Sequence, residues 1–91
     1  DFTVNVEYGT NVEKVMNALK AIAESDERIL KEPAPFYALS ALAESSVNFT
    51  FRVWVNGTDY WPVFFDTNKK IYEEFNRQNI KFPFPQLQIH Q

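Results

Sequence analysis

One run of strict alternation limits the fold of this chain more than any other feature. Apolar side chains stand at Val47, Phe49, Phe51, Val53 and Val55, and polar side chains fill most of the positions between them. Successive side chains of a strand point to opposite faces of a sheet, so this pattern predicts a strand with one buried face. Such a strand needs neighbouring strands and a second layer that covers its apolar side.

The first half of the chain predicts a strand, a helix and a further strand. Residues 2–8 alternate in the same way as the run above. Residues 12–23 repeat apolar side chains at helical spacing, and Thr10 with Glu13 three residues later has the pattern of a capping box. Residues 36–42 are small and apolar, which indicates a strand that turns back into the clearest one.

A second amphipathic helix is predicted after the clearest strand. We expect Thr58 or Asp59 to be its N-cap, and we expect the helix to run to about Gln78, with Asn79 as its C-cap. The expected apolar stripe of this helix consists of Trp61, Phe64, Phe65, Ile71, Tyr72 and Phe75.

The last twelve residues, 80–91, form a proline-rich tether that ends in a short strand pattern. Pro83 and Pro85 fix φ and remove two backbone donors, so helix and central strand are both excluded until Pro85 is passed. Leu87 and Ile89 then alternate with polar residues. A terminal strand of this kind pairs either with its own sheet or with another copy of the protein.

The predicted order β-α-β-β-α-β indicates an α+β, ferredoxin-like sandwich. Residues 1–91 then form one domain, with a four-stranded antiparallel sheet and two helices on one face. The first and third strands lie side by side in the centre, and the second and fourth are edges. Glu7 and Arg52 are expected to face each other across the two central strands.

Composition argues against several classes of function. The formal net charge of the 91 residues is -3, whereas a nucleic-acid-binding protein needs a concentrated basic face. There is no cysteine, so disulfides and thiolate metal sites are excluded. No apolar run approaches the roughly 20 residues of a membrane span. Because the chain begins at Asp1 and not at methionine, we expect it to be a piece of a longer protein.

The sequence offers no catalytic, cofactor or metal constellation. The single histidine, His90, lies on the polar side of the terminal strand pattern, and Ser45 and Ser46 read as turn residues. Gly9 and Gly57 are the only glycines, so phosphate loops and dinucleotide fingerprints are absent. We therefore expect no enzyme activity, no cofactor and no small-molecule substrate.

The aromatic residues leave alternatives open. Phe49 and Phe51 superficially match the base-stacking rings of RNA-recognition domains, but their place in the alternation favours burial against the helices. Trp54 and Trp61 are either core or contact residues. A small-ligand-binding regulatory domain of the same fold is the alternative to a structural role.

Several segments in order resemble one family. They are Gly9-Thr10, the Ile29–Pro35 segment with its Pro-Ala-Pro, Ser45–Phe49, Arg52–Val55, Asp59–Trp61 and the Ile80–Gln86 segment with its Pro-Phe-Pro. Together they resemble the C-terminal cytoplasmic domain of the small-conductance mechanosensitive channel (MscS-like) family, over essentially the whole chain.

The resemblance implies a structural role in an ion channel of the inner membrane. Channels of this family are homo-heptamers that open under bilayer tension and release ions and small solutes on hypoosmotic stress. This domain would form the lower wall of their cytoplasmic cage, with the membrane part outside the present chain. The implied subunit contacts are Phe82, Pro83, Phe84, Pro85, Gln86, Leu87 and Ile89. The isolated fragment is expected to be monomeric or weakly associated.

Overall fold

The computed structural model describes residues 1–83 as one α+β unit. The elements follow in the order β1 (Phe2–Val6), α1 (Val12–Glu24), β2 (Phe36–Leu42), β3 (Val47–Arg52), a short 3₁₀ turn (Gly57–Asp59) and α2 (Tyr60–Arg77). The three strands form an antiparallel sheet in the order β1-β3-β2. Neither helix in this part of the chain is long and apolar enough to cross a membrane.

The middle strand β3 carries the core, as its alternation predicts. Val47, Phe49 and Phe51 lie opposite Val6, Val4 and Phe2 of β1. All six side chains are buried, because they point to the sheet face that the two helices cover. The burial of Phe49 and Phe51 confirms that their rings belong to the core and are not an exposed stacking platform.

The first helix begins one residue later than the capping box predicts. Asn11 is the N-cap, and its Oδ1 accepts a hydrogen bond from the backbone N–H of Lys14 at 3.0 Å. The Thr10 side chain does not cap the helix. Its hydroxyl donates to the Glu7 carbonyl at 2.7 Å and closes the turn after β1. The prediction of Thr10 as the cap was therefore wrong, although the helix itself was predicted correctly.

The second helix buries a narrower stripe than the sequence pattern predicts. Its buried side chains are Val63, Thr67, Ile71 and Phe75, which recur at every fourth position. The predicted stripe includes three aromatic residues that the structure leaves exposed, namely Trp61, Phe65 and Tyr72. A helix turns 100° per residue, so one face holds only the four-residue repeat against a small sheet.

The remaining predictions concern the sheet. The adjacency of the first and third strands and the edge position of the second are confirmed. The predicted facing of Glu7 and Arg52 was wrong, because the register places Phe51 opposite Phe2 and so brings Arg52 beside Asp1. Arg52 Nε donates to Asp1 Oδ2 at 3.1 Å. A fourth strand at residues 87–90 lies outside the described residues.

Candidate functional site

The described residues contain no chemical centre around which a site can be built. In residues 1–83 no three histidine, cysteine, aspartate or glutamate side chains come together in a way that could hold a metal ion. The predicted site residues begin at Phe82, so the candidate site is the surface where the C-terminal segment leaves the domain.

The end of α2 sets the direction of that segment. Asn79 adopts a left-handed backbone conformation with φ 59°. The N–H of Asn79 donates to Asn76 O at 3.1 Å, and the N–H of Ile80 donates to Phe75 O at 2.8 Å. These two bonds make a Schellman motif, which is completed by the burial of Phe75 and Ile80 side by side in the core. The chain therefore reverses sharply and returns along the sheet.

Phe82 packs against its own domain. Its ring stacks on Phe75 with centroids 5.6 Å apart and on Tyr72 with centroids 6.3 Å apart. The side chain is half-buried at the margin of the core. Phe82 therefore anchors the start of the C-terminal segment to α2.

A groove runs beside β1, at the edge of the sheet where the C-terminal segment returns. The N–H of Glu7 donates to the carbonyl of Lys81 at 3.0 Å, which joins the two segments. The groove is lined on the sheet side by residues 1–5 and on the other side by Phe64, Ile71, Tyr72, Phe82 and Pro83, among others.

A second surface stands at the start of α2. Tyr60, Trp61, Phe64 and Phe65 contact one another, with ring centroids 5.0 Å apart for the Tyr60–Trp61 pair and 5.6 Å apart for Trp61–Phe64. Phe64 also stacks on Phe2 of β1 at 5.5 Å, so it belongs to the margin of the core. Trp61 and Phe65 are 59% and 62% exposed, which gives this end of the domain an apolar surface.

A charged cluster joins the loop after α1 to α2. Asp26 is buried, and its carboxylate accepts from Arg28 Nε at 2.9 Å and from Arg28 Nη2 at 2.8 Å. Arg28 Nη2 also donates to Asp66 Oδ2 at 2.8 Å. The hydrogen bonds from Arg28 lower the pKa of Asp26, and the same carboxylates raise the pKa of Arg28. The cluster is a structural clamp between two elements.

Comparison with known proteins identifies the domain. The family model described as "Mechanosensitive ion channel MscS, C-terminal" matches residues 1–82. The chain belongs to the MscS family. The match spans the whole described unit, from β1 to the anchored Phe82.

Curated MscS relatives align along nearly the full chain. A small-conductance mechanosensitive channel of Edwardsiella ictaluri is 36% identical over 90 residues, which is 99% of this chain and 32% of the relative. An MscS family protein of Buchnera aphidicola from Acyrthosiphon pisum is also 36% identical, over 99% of this chain and 30% of its own length. The present chain thus spans about a third of the relatives that it matches.

A solved MscS structure has the same fold. The crystal structure of Helicobacter pylori MscS in the closed state superposes with a TM-score of 0.87 at 28% identity, over 99% of this chain and 36% of that one. The family resemblance in the sequence motifs is therefore confirmed.

Two of the seven predicted contact residues fall within the part of the chain that the structure describes. The structure places Phe82 and Pro83 beside the β1 groove. The other predicted contact residues, Phe84, Pro85, Gln86, Leu87 and Ile89, lie outside the described residues. Sequence reasoning missed the exposed face of Trp61 and Phe65, which the four-residue spacing of the buried positions 63, 67, 71 and 75 would have revealed.

Proposed function

We propose that this domain is a wall of the cytoplasmic cage of an MscS-type channel in the inner membrane. The channel is a homo-heptamer that releases ions and small solutes on hypoosmotic stress, and its membrane part lies outside the present chain. The observation that carries the proposal is the match of the MscS C-terminal family model to residues 1–82. The likeness in fold to the closed-state H. pylori channel supports it.

The role of the domain in the channel is structural. Its partner is other copies of itself, and it needs no cofactor, nucleic acid or small-molecule substrate. The packing suits that role, because the buried clamp at Asp26 and the aromatic anchor at Phe82 hold the helices and the C-terminal segment in fixed relation. Subunit contacts are assigned to the segment from Phe82 to Gln86 and to Leu87 and Ile89.

A chimera tests the proposal directly. Residues 1–91 replace the matching segment of the E. ictaluri channel, and the product is expressed in cells that lack mechanosensitive channels. We expect the chimera to assemble at the mass of the parent heptamer and to restore survival of a sudden drop in osmolarity. Patch recording should show openings under membrane tension. A chimera that reaches the membrane but neither assembles nor opens would contradict the proposed function.

A matched pair of variants tests the contact residues within that chimera. Leu87→Ser with Ile89→Ser removes the two apolar side chains of the terminal strand pattern, and we expect the heptamer to dissociate more easily in detergent. Gln88→Ser with His90→Ser changes the alternate positions and should leave its stability near that of the parent. Phe82→Ala is a poorer probe, because it also removes stacking within the domain. If the heptamers of the two double variants are equally stable in detergent, Leu87 and Ile89 are not subunit contacts.

A further inference from the structure

The loop between β3 and α2 holds a pair of residues, Asn56 and Gly57, that the proposed function does not use. Asn56 is the only asparagine of the chain that a glycine follows. Both residues are exposed, and Gly57 opens the short 3₁₀ turn that leads into α2. In such a pair the backbone nitrogen of the glycine can attack the side-chain amide of the asparagine, because no Cβ on the second residue obstructs the approach.

The nucleophile of this reaction is the backbone nitrogen of Gly57. A helical turn leaves the N–H groups of its first residues without a partner inside the turn. Gly57 is the first residue of the 3₁₀ turn, and the first bond of that turn is donated by the N–H of Asp59 to Asn56 O at 2.9 Å. The Gly57 nitrogen therefore gives up no bond of its own to the turn when it reacts.

The side chain of Asn56, which would be attacked, does not hold the turn that follows it. Asn56 stands at the N-cap position of the 3₁₀ turn, but its side chain makes no capping hydrogen bond. By contrast, Oδ1 of Asn11 accepts the bond that caps α1, and Oδ1 of Asn48 accepts from the Ser46 hydroxyl at 2.7 Å. Those two amides must lose a bond before they can rotate towards the next nitrogen, whereas the Asn56 amide loses no capping bond.

The backbone of Asn56 has to rotate before a ring can close. Asn56 has φ −66° and ψ 147°, so ψ must turn through the fully extended conformation to bring the Gly57 nitrogen beside the side-chain amide. This rotation breaks the bond from Asp59 to Asn56 O. A single bond in an exposed turn of three residues opens at a much lower free energy than the core does. The fold therefore slows ring closure but does not prevent it.

We propose that Asn56 is a site of spontaneous modification, at which the folded chain converts asparagine to aspartate and isoaspartate. The Gly57 nitrogen loses its proton and forms a bond to Cγ of Asn56, the bond from Cγ to Nδ2 breaks, and the amide leaves as ammonia. Water then opens the succinimide ring at either carbonyl, which gives aspartate or isoaspartate. The reaction needs no co-reactant except water, and the inference does not depend on the proposed channel function.

Either product changes the start of α2. Each adds a negative charge at the N-terminal end of the turn and helix, where the macrodipole favours it. In isoaspartate the main chain also runs through the former side chain, so the carbonyl that accepts from Asp59 becomes part of a free carboxylate and the loop gains one carbon. The covalent structure of the loop after β3 therefore changes as the protein ages.

Mass spectrometry of the 91-residue chain tests the proposal. The folded chain is incubated at mildly alkaline pH in water enriched in heavy oxygen and is then digested with trypsin in ordinary water. Cleavage after Arg52 and Lys69 releases residues 53–69, which contain both Asn56 and Asn68, an exposed asparagine within α2 that serves as the internal control. We expect Asn56 to take up heavy oxygen about tenfold faster than Asn68 or more. Equal rates at the two positions would overturn the proposal.

Gly57→Ala is the matched variant for the mechanism. A Cβ at this position meets nothing within 4 Å, and φ of Gly57 lies outside the left-handed region, so thermal unfolding should match that of the wild type. Because the methyl group hinders the approach of the nitrogen to Cγ, we expect uptake of heavy oxygen at Asn56 to slow by about tenfold or more. Asn56→Gln, whose amide lies one carbon farther away, should slow the uptake as well. Unchanged uptake at position 56 in either folded variant would overturn the cyclic route.

Discussion

Asp26 is the most deeply placed charge that the structure describes, and its side chain is only 5% exposed. Two side-chain hydrogen bonds from Arg28 satisfy its carboxylate, and Lys70 Nζ lies 3.8 Å away. An ionised carboxylate at this depth is stable only with such partners. The contribution of Asp26 to the free energy of unfolding therefore depends on both the neighbouring cations and the pH.

The variant Asp26→Asn tests the clamp. Because Arg28 lowers the pKa of Asp26 in the folded state, the carboxylate contributes stability above its unfolded pKa of about 4, and this is lost as the pH falls through the lower folded pKa. We expect the variant to lose about 2 kcal/mol of unfolding free energy at pH 7 and much less at pH 2. Urea unfolding at both pH values measures this.

The control for the clamp is Asp66→Asn. Asp66 binds the same guanidinium, but its side chain is 53% exposed, so we expect a loss below about 1 kcal/mol. Equal losses of unfolding free energy for the two variants would contradict the stabilising role of the Asp26–Arg28 pair. A loss for Asp26→Asn that does not depend on pH would contradict it as well.

Thr67 presents the opposite case, a buried hydroxyl without a partner. Its Oγ1 makes no hydrogen bond within residues 1–83, and the residue is fully buried in α2. Thr67→Val keeps the shape and removes the desolvated hydroxyl, so we expect the unfolding free energy to rise by about 1 kcal/mol. Thr67→Ser is the control, since it keeps the hydroxyl and leaves a small cavity, and it should destabilise. Thermal unfolding of the two variants distinguishes them, and a less stable valine variant would show that the hydroxyl is satisfied.

At the scale of elements, the end of α2 depends on one backbone conformation. Asn79 has φ 59°, a region that costs a residue with a Cβ about 1–2 kcal/mol and that asparagine and glycine adopt more easily. Asn79→Ala should therefore lower the melting temperature by about 4–8 °C, which corresponds to about 1 kcal/mol in a domain of this size. Asn79→Gly should match or exceed the wild type. Calorimetry checks both, and an alanine variant as stable as the glycine variant would contradict the left-handed cap.

The two faces of α2 predict a further contrast. Phe75 is fully buried and Phe65 is 62% exposed, although the sequence pattern placed both in one apolar stripe. Phe75→Ala should cost about 3–5 kcal/mol, and Phe65→Ala less than about 1 kcal/mol. Urea unfolding of the isolated domain measures both values. Similar losses of unfolding free energy for the two variants would show that Phe65 is buried with Phe75, as the sequence pattern predicted.

At the scale of the whole molecule, the sequence predicted the three strands and two helices that the structure describes, their order and the neighbours of β3. Alternation and helical spacing indicate which side chains are buried. This information was sufficient to predict a sheet with two helices packed on one of its faces. The offset between β1 and β3 was missed, because any shift by two residues keeps Phe49 and Phe51 on the same face. The place of Arg52 beside Asp1 therefore required the structure.

The candidate site was less predictable than the fold, for a related reason. The prolines indicated that the C-terminal segment is extended. Which residue of that segment lies beside which residue of β1 depends on a single hydrogen bond, from the Glu7 N–H to the Lys81 carbonyl. That bond follows from the sharp reversal at Asn79, and no local sequence pattern fixes it.

The Schellman turn has a mechanical consequence. When a neighbouring molecule pulls on the C-terminal segment, tension reaches the Phe82 stack and the Glu7–Lys81 bond before it reaches the last turn of α2. These contacts lie at the surface and are few, whereas Ile80 and Phe75 behind them are locked in the core. We therefore expect the first response to such tension to be the release of the Phe82 ring from Tyr72 and Phe75, while the helix and the sheet stay intact.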